Sequence, residues 1–207
     1  MRPLPRLHAI TDPSVLALDD LGIRAAAIAA AGASVALHAR DRQAGGARLA
    51  ALAARLVSLA WPPEASVIVA GRPDVALAVG AQGVQLAAGE LAPADARKVL
   101  PLGWIGRSVH SADEAARAAH EGADYVLAGN VFETASHPGR PAAGLELIAA
   151  AARTGLPVIA IGGITAANAA AARDAGAWGV AAIRALWHVE DSAAATLALL
   201  EPWMEDV

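Results

Sequence analysis

The chain has no cysteine in its 207 residues, which excludes a disulfide scaffold, thiolate catalysis and any Cys-ligated metal. It also lacks an excess of positive charge. The formal net charge is -4, and without a basic stripe there is no electrostatic footprint for nucleic acid. No run reaches the roughly 18 uninterrupted apolar residues of a membrane span. The opening Met1-Arg-Pro-Leu-Pro-Arg-Leu7 has no long apolar segment of the secretory kind, so the expectation is a cytoplasmic protein with no membrane partner. The abundant alanine sits in helical stretches and carries no functional message by itself.

The most informative stretch is Pro157-Val-Ile-Ala-Ile-Gly-Gly-Ile-Thr-Ala-Ala-Asn168. A β-branched run ends in Gly162-Gly163, and a helical pattern starts directly afterwards. This reads as a buried parallel strand opening onto a helix N-terminus. Glycines there let a ligand approach the backbone, and the helix end favours an anion. A second such site follows the run Gly179-Val-Ala-Ala-Ile-Arg184.

A recurring phrase supplies the architecture. Gly-Ala before a valine-containing run occurs at Gly32, Gly80, Gly122 and Gly176, each well placed to end a helix before a strand. With the runs between them, strands are expected near 7–11, 34–39, 67–70, 83–86, 104–108, 124–128, 157–161 and 179–183. Helices are expected at about 19–31, 46–60, 73–80, 92–98, 112–121, 142–153, 165–175 and 191–204. Eight alternating units without a linker predict a single domain over residues 1–207, an α/β (β/α)8 TIM barrel. An open doubly wound sheet is the alternative. In a barrel, anion sites after the last two strands form one phosphate cradle, so Gly162, Gly163, Ile183 and Arg184 are expected to bind phosphate.

Chemistry in this fold sits at the carboxyl ends of the strands. The polar residues falling there include Thr11, Asp12, His38, Arg40, Arg42, Arg72, Gln85, Glu90, Arg107, Ser108, His110, Asn130, Glu133 and Thr134. Arg40, Arg72 and Arg107, beside two phosphate-type loops, point to recognition of an anionic small molecule.

Six motifs then occur in a telling order: Leu7-His-Ala-Ile-Thr-Asp12, His38-Ala-Arg-Asp-Arg42, Ile105-Gly-Arg-Ser-Val-His-Ser111, Gly122-Ala-Asp-Tyr-Val126, Val131-Phe-Glu-Thr134 and Val158-Ile-Ala-Ile-Gly-Gly-Ile164. Together they resemble the thiamine phosphate synthase/TenI superfamily over nearly the whole chain. The closer likeness is to the TenI branch, which implies a thiazole tautomerase, an isomerase that aromatises a carboxylated dihydrothiazole phosphate. Two alternatives follow from the same resemblance: a thiamine phosphate synthase joining pyrimidine pyrophosphate to thiazole phosphate, and a catalytically silent thiazole-phosphate binder.

The synthase branch implies Tyr where this chain has His8, an Asn-Asp pair at Ala70-Gly71, a second metal-binding Asp at Glu90 and a pyrophosphate-binding Lys at His137. Magnesium holds the leaving group in that branch, and it prefers hard carboxylate oxygens. Glu90 alone would be a poor site, so no metal or cofactor is expected, magnesium belonging only to the synthase alternative. For the tautomerase, the resemblance implies an acid/base histidine at Asn130, where an amide cannot shuttle a proton. His8, His38, His110, His137 and Glu133 stay open as its replacement. The expected catalytic set is His38, Asn130, Glu133 and His137. The expected substrate-binding set is His8, Arg40, Arg107, Ser108, Thr134, Gly162, Gly163, Ile183 and Arg184. A homo-oligomer is implied by the resemblance, with Trp178, Trp187 and Trp203 expected to cap the barrel or pack an interface.

Overall fold

The computed structural model describes residues 3–61, 64–134 and 141–204. Strand β1 (Leu7–Ile10) leads through the one-turn helix α1 (Pro13–Leu16) to α2 (Leu21–Ala29) and then to β2 (Val35–Ala39). Next come α3 (Gly46–Ala60), β3 (Ser66–Ala70), α4 (Pro73–Val79), β4 (Gly83–Leu86) and α5 (Pro93–Val99). The third quarter holds β5 (Trp104–Val109), α6 (Ala112–His120), β6 (Tyr125–Gly129) and α7 (Gly144–Ala152). The chain closes with β7 (Val158–Ile161), α8 (Ala166–Asp174), β8 (Gly179–Ala182), one-turn α9 (Arg184–Trp187) and α10 (Ser192–Leu200).

All neighbouring strands pair in parallel, and β8 returns to β1 through Leu7↔Val180. This is a closed (β/α)8 barrel, and the open-sheet alternative is excluded. Gly32, Gly80, Gly122 and Gly176 all have φ between 64° and 103°. Each reverses the chain after a helix in the left-handed region, where a Cβ would be strained. Helix α3 shows why the remaining segments are helical. Its buried residues Leu49, Ala53, Leu56 and Ala60 recur at helical spacing on one face. The one-turn helices α1 and α9 had no such periodic signal.

Side-chain parity divides the core in two. One set, including Leu7, Leu37, Val69, Leu86, Ile105, Val126 and Val180, points outward and packs beneath the helices. The other, Ile10, Ala36, Ile68, Trp104, Tyr125, Leu127, Ile159 and Ala181, fills the barrel interior. The lower end is plugged by Trp178. Its ring lies 3.5 Å from the Arg6 guanidinium carbon, and its indole N–H donates to the Leu4 carbonyl at 3.0 Å. Trp187 and Trp203 differ from expectation. Both are buried in the outer core, because α9 and the turn after α10 fold their indoles onto the barrel wall. No described helix is long and apolar enough to cross a membrane.

Candidate active site

A cavity of about 940 Å³ opens at the carboxyl ends of the strands. It is lined by His38, Arg40, Ser108, Asn130, Glu133, Thr134, Gly162, Gly163, Ile183 and Arg184, which brings most of the expected residues together. Gln85, His110, Arg42 and Arg72 line it as well. Two expected residues stand apart from the lining, and His137 lies outside the described residues.

The first is Arg107. Its guanidinium donates to the carbonyls of Leu91 at 2.9 Å and Ala88 at 3.0 Å, clamping the loop between β4 and α5. The reason is parity. Ile105 and Val109 on the same strand pack outward, and residue 107 shares their side, whereas Ser108 faces in. The second is His8, which points inward but one layer below the cavity. It is fully buried, with Nδ1 2.8 Å from His38 Nε2 and Nε2 3.2 Å from the Pro5 carbonyl oxygen. Burial drives the His8 pKa down to about 4 and holds His38 well below the ordinary histidine value. The charge of Arg40 pushes His38 further the same way.

Farther round the same rim, the β7–α8 turn forms one half of an anion cradle. Gly162 and Gly163 have φ of 98° and 66°. A Cβ at Gly162 would lie 2.5 Å from the Asn130 Cβ, so the turn rests directly on the loop after β6 and only glycine fits. A capping box between Thr165 and Asn168 holds the turn, and the Asn168 amide also donates to the Gly163 carbonyl at 2.9 Å. The other half is the start of α9. Its first N–H groups, at Arg184 and Ala185, have no preceding helical carbonyl to bond.

Positive charge lines the rim after β2, two strands round the barrel from β8. Arg40 and Arg42 follow β2, and the acid between them, Asp41, is paired with Arg48 at 3.2 Å. Burial and the neighbouring Arg42 lower the Arg40 pKa, with Asp12 and Glu90 opposing. An arginine stays protonated nonetheless. Arg72 also reaches the cavity, but Asp74 engages it in an ion pair.

At the floor, Gln85 donates to Ser108 Oγ at 3.1 Å. Its Oε1 and the Tyr125 hydroxyl are buried without a hydrogen-bond partner among the described residues. Both would overlap a Cβ at Gly106, which shows how closely they approach that glycine. Tyr125 is fully buried in the barrel interior beneath the cavity and does not line it. His110 is held by its Nδ1 against the Gly129 carbonyl, next to Asn130.

The magnesium implied by the synthase branch does not fit these residues. Position 71 has no side chain. Glu90 Oε1 lies 2.6 Å from where a Cβ at Gly71 would be, and Glu90 Oε2 accepts from the Ala87 N–H at 2.7 Å. The one remaining acid thus fills the vacant space and fastens its own turn. Among the described residues no group of three or more His, Asp or Glu is placed to hold a metal.

Comparison with known proteins adds the family. The family model described as thiamine monophosphate synthase matches residues 7–186. A thiamine-phosphate synthase of Salinispora arenicola is 42% identical over 97% of this chain and 98% of its own. One from Methanoculleus marisnigri is 44% identical over 84% of each. The solved thiamine phosphate pyrophosphorylase from Pyrococcus furiosus superposes with a TM-score of 0.82 at 32% identity, covering 99% of this chain and 98% of that one.

These relatives overturn the expectation of a tautomerase and of an isomerase. Identity of 42–44% across most of the chain to proteins named synthases points to a transferase. The motifs favouring the other branch are a few residues long, and each is a local variant in a shared scaffold. The chain belongs to the thiamine monophosphate synthase family.

Proposed function

We propose that the protein is a thiamine-phosphate synthase, a transferase that joins a pyrimidine pyrophosphate to a thiazole phosphate. The observation that carries this reading is two separate anion-binding groups on the rim of one cavity, one after β2 and the other after β7 and β8. The cradle of Gly162, Gly163 and the α9 N-terminus suits a monoanionic or dianionic phosphate ester. Arg40 and Arg42, after β2, suit a more highly charged group. Relatives named thiamine-phosphate synthases, at 42% and 44% identity, support using these sites for two substrates. The volume of about 940 Å³ is near the upper end of ordinary ligand pockets, roughly 1,000 Å³, and leaves room for two ring systems.

In this reaction the thiazole nitrogen attacks the exocyclic methylene of the pyrimidine. A carbon–nitrogen bond forms, the carbon–oxygen bond to pyrophosphate breaks, and the electron pair leaves with pyrophosphate. The nitrogen becomes a thiazolium centre. The chain's residues contribute orientation and charge. The glycine cradle fixes the thiazole, the arginines stabilise charge growing on the leaving oxygen, and Ile10, Leu127 and Ile161 supply an apolar floor that excludes water.

Incubation of purified protein with both precursors tests this. Thiamine phosphate and pyrophosphate should appear in equal amounts, at a rate proportional to enzyme. Binding of both precursors without product would overturn the assignment.

A further inference from the structure

We infer that this site manages its pyrophosphate without a divalent cation, the positive charge coming from arginine side chains instead. The inference rests on the synthase reading for the origin of the pyrophosphate, but its physical basis is separate. Gly71 offers no ligand, and its backbone, at φ +71°, is closely covered by Glu90. The Glu90 carboxylate is committed on one oxygen to the Ala87 N–H. A metal arriving there would meet one acid already engaged, on a turn that the acid itself maintains. Magnesium needs near-octahedral oxygen donors and dehydrates reluctantly, so such a site binds it poorly.

Charge is nonetheless present. Arg40 and Arg42 both line the cavity, and neither forms an ion pair or side-chain hydrogen bond with another described residue. The nearest acid in sequence, Asp41, is occupied by Arg48. In a protein of net charge -4, two neighbouring arginines with no acid in ion-pair contact, the half-buried Arg40 and the exposed Arg42, mark a place open to an external anion. Two guanidinium groups supply the same two positive charges as one magnesium ion. Each presents a planar fork that matches phosphate oxygens. Glu90 lies close enough to Arg40 to favour its charged form, so the acid supports the cationic wall rather than a metal.

Calorimetric titration with inorganic pyrophosphate, in EDTA and separately in millimolar magnesium, tests the inference on the wild-type protein. Binding in EDTA should be as tight as in magnesium, or tighter. Arg40→Gln should weaken it by about tenfold or more in EDTA, the loss of a charge-assisted contact. The double variant Gly71→Asp/Glu90→Asp, which restores two carboxylates and removes the crowding, should gain magnesium-dependent pyrophosphate binding; aspartate tolerates a left-handed backbone better than most residues. Wild-type binding that needs magnesium, or tightens tenfold with it, would overturn the inference whether or not the variants fold. Tight binding in EDTA without thiamine phosphate formation would leave it standing and remove the synthase reading. Product formed only with magnesium would do the opposite.

Discussion

His8 Nδ1 stands 2.8 Å from His38 Nε2 inside the barrel, and the Pro5 carbonyl near His8 Nε2 decides where the protons are. A carbonyl oxygen can only accept, so His8 Nε2 carries a hydrogen. In a neutral ring His8 Nδ1 is then the acceptor, and His38 Nε2–H is its donor. His38 Nδ1 is left as a lone pair at the cavity floor. Both rings are neutral chiefly because burial disfavours a charge on either one.

Stability should therefore depend on pH in the mildly acidic range. The folded pKa of His8, about 4, lies below its unfolded value of 6.5, and His38 is depressed in the same direction. Between these values the unfolded chain binds more protons than the folded one, so stability is complete above pH 6.5 and falls as the pH drops toward 4. For His8 alone the full loss is on the order of 3 kcal/mol. Urea denaturation at pH 8, 6 and 5 checks this; a midpoint unchanged from pH 8 to 5 would contradict the buried neutral pair.

Replacing His8 with phenylalanine keeps a ring of similar breadth but removes the acceptor. The His38 N–H is then buried without a partner, and the variant should lose about 1–3 kcal/mol at pH 8. Its stability should also vary less with pH than that of the wild type, because one depressed titration is gone. Comparing denaturation midpoints of the two proteins at pH 8 and pH 5 separates these effects. Equal pH dependence in both would mean that His8 is not the titrating group.

Much of the barrel was legible because its signals are local. Gly80 ends α4 and announces β4, and every expected strand lies within about a residue of its observed bounds. The carboxyl-end rule then located the cavity, since it depends only on strand direction. The His8–His38 contact was not legible, because it depends on register. His8 pairs with Ala36 and Ile10 with His38, making the two histidines diagonal neighbours on the inner face. Arg107 was misplaced although its own strand held the signal. Its neighbours Ile105 and Val109 are apolar and outward, so residue 107 had to follow them.

The glycine cradle gives a sharper prediction about substrate. Gly162→Ala would place a methyl group against Asn130 at a backbone φ of 98°, so the turn must move away from the loop after β6. KM for the thiazole phosphate should rise by about tenfold or more, the equivalent of one lost charge-assisted hydrogen bond. KM for the pyrimidine pyrophosphate should change little, as on the proposed reading its charge is met at Arg40 and Arg42 instead. A similar rise for both precursors would show that the cradle does not discriminate between them.

Arg40 and Arg107 are both half-buried arginines at strand ends, yet they should respond oppositely to removal. Arg40 faces the cavity beside Arg42, and on the proposed reading its guanidinium meets the pyrophosphate. Arg40→Ala should lower kcat/KM for the pyrimidine pyrophosphate by roughly a hundredfold, corresponding to about 3 kcal/mol of lost transition-state stabilisation. Arg107 instead closes the Ala88–Leu91 turn through two carbonyls. Arg107→Ala should cost about 1–2 kcal/mol of stability and leave kcat/KM within a few-fold, the residual change coming through the attached Glu90. Steady-state kinetics and thermal unfolding of both variants decide the matter. If Arg107→Ala lost activity as severely as Arg40→Ala while remaining folded, the outward placement of Arg107 would not describe its role in turnover.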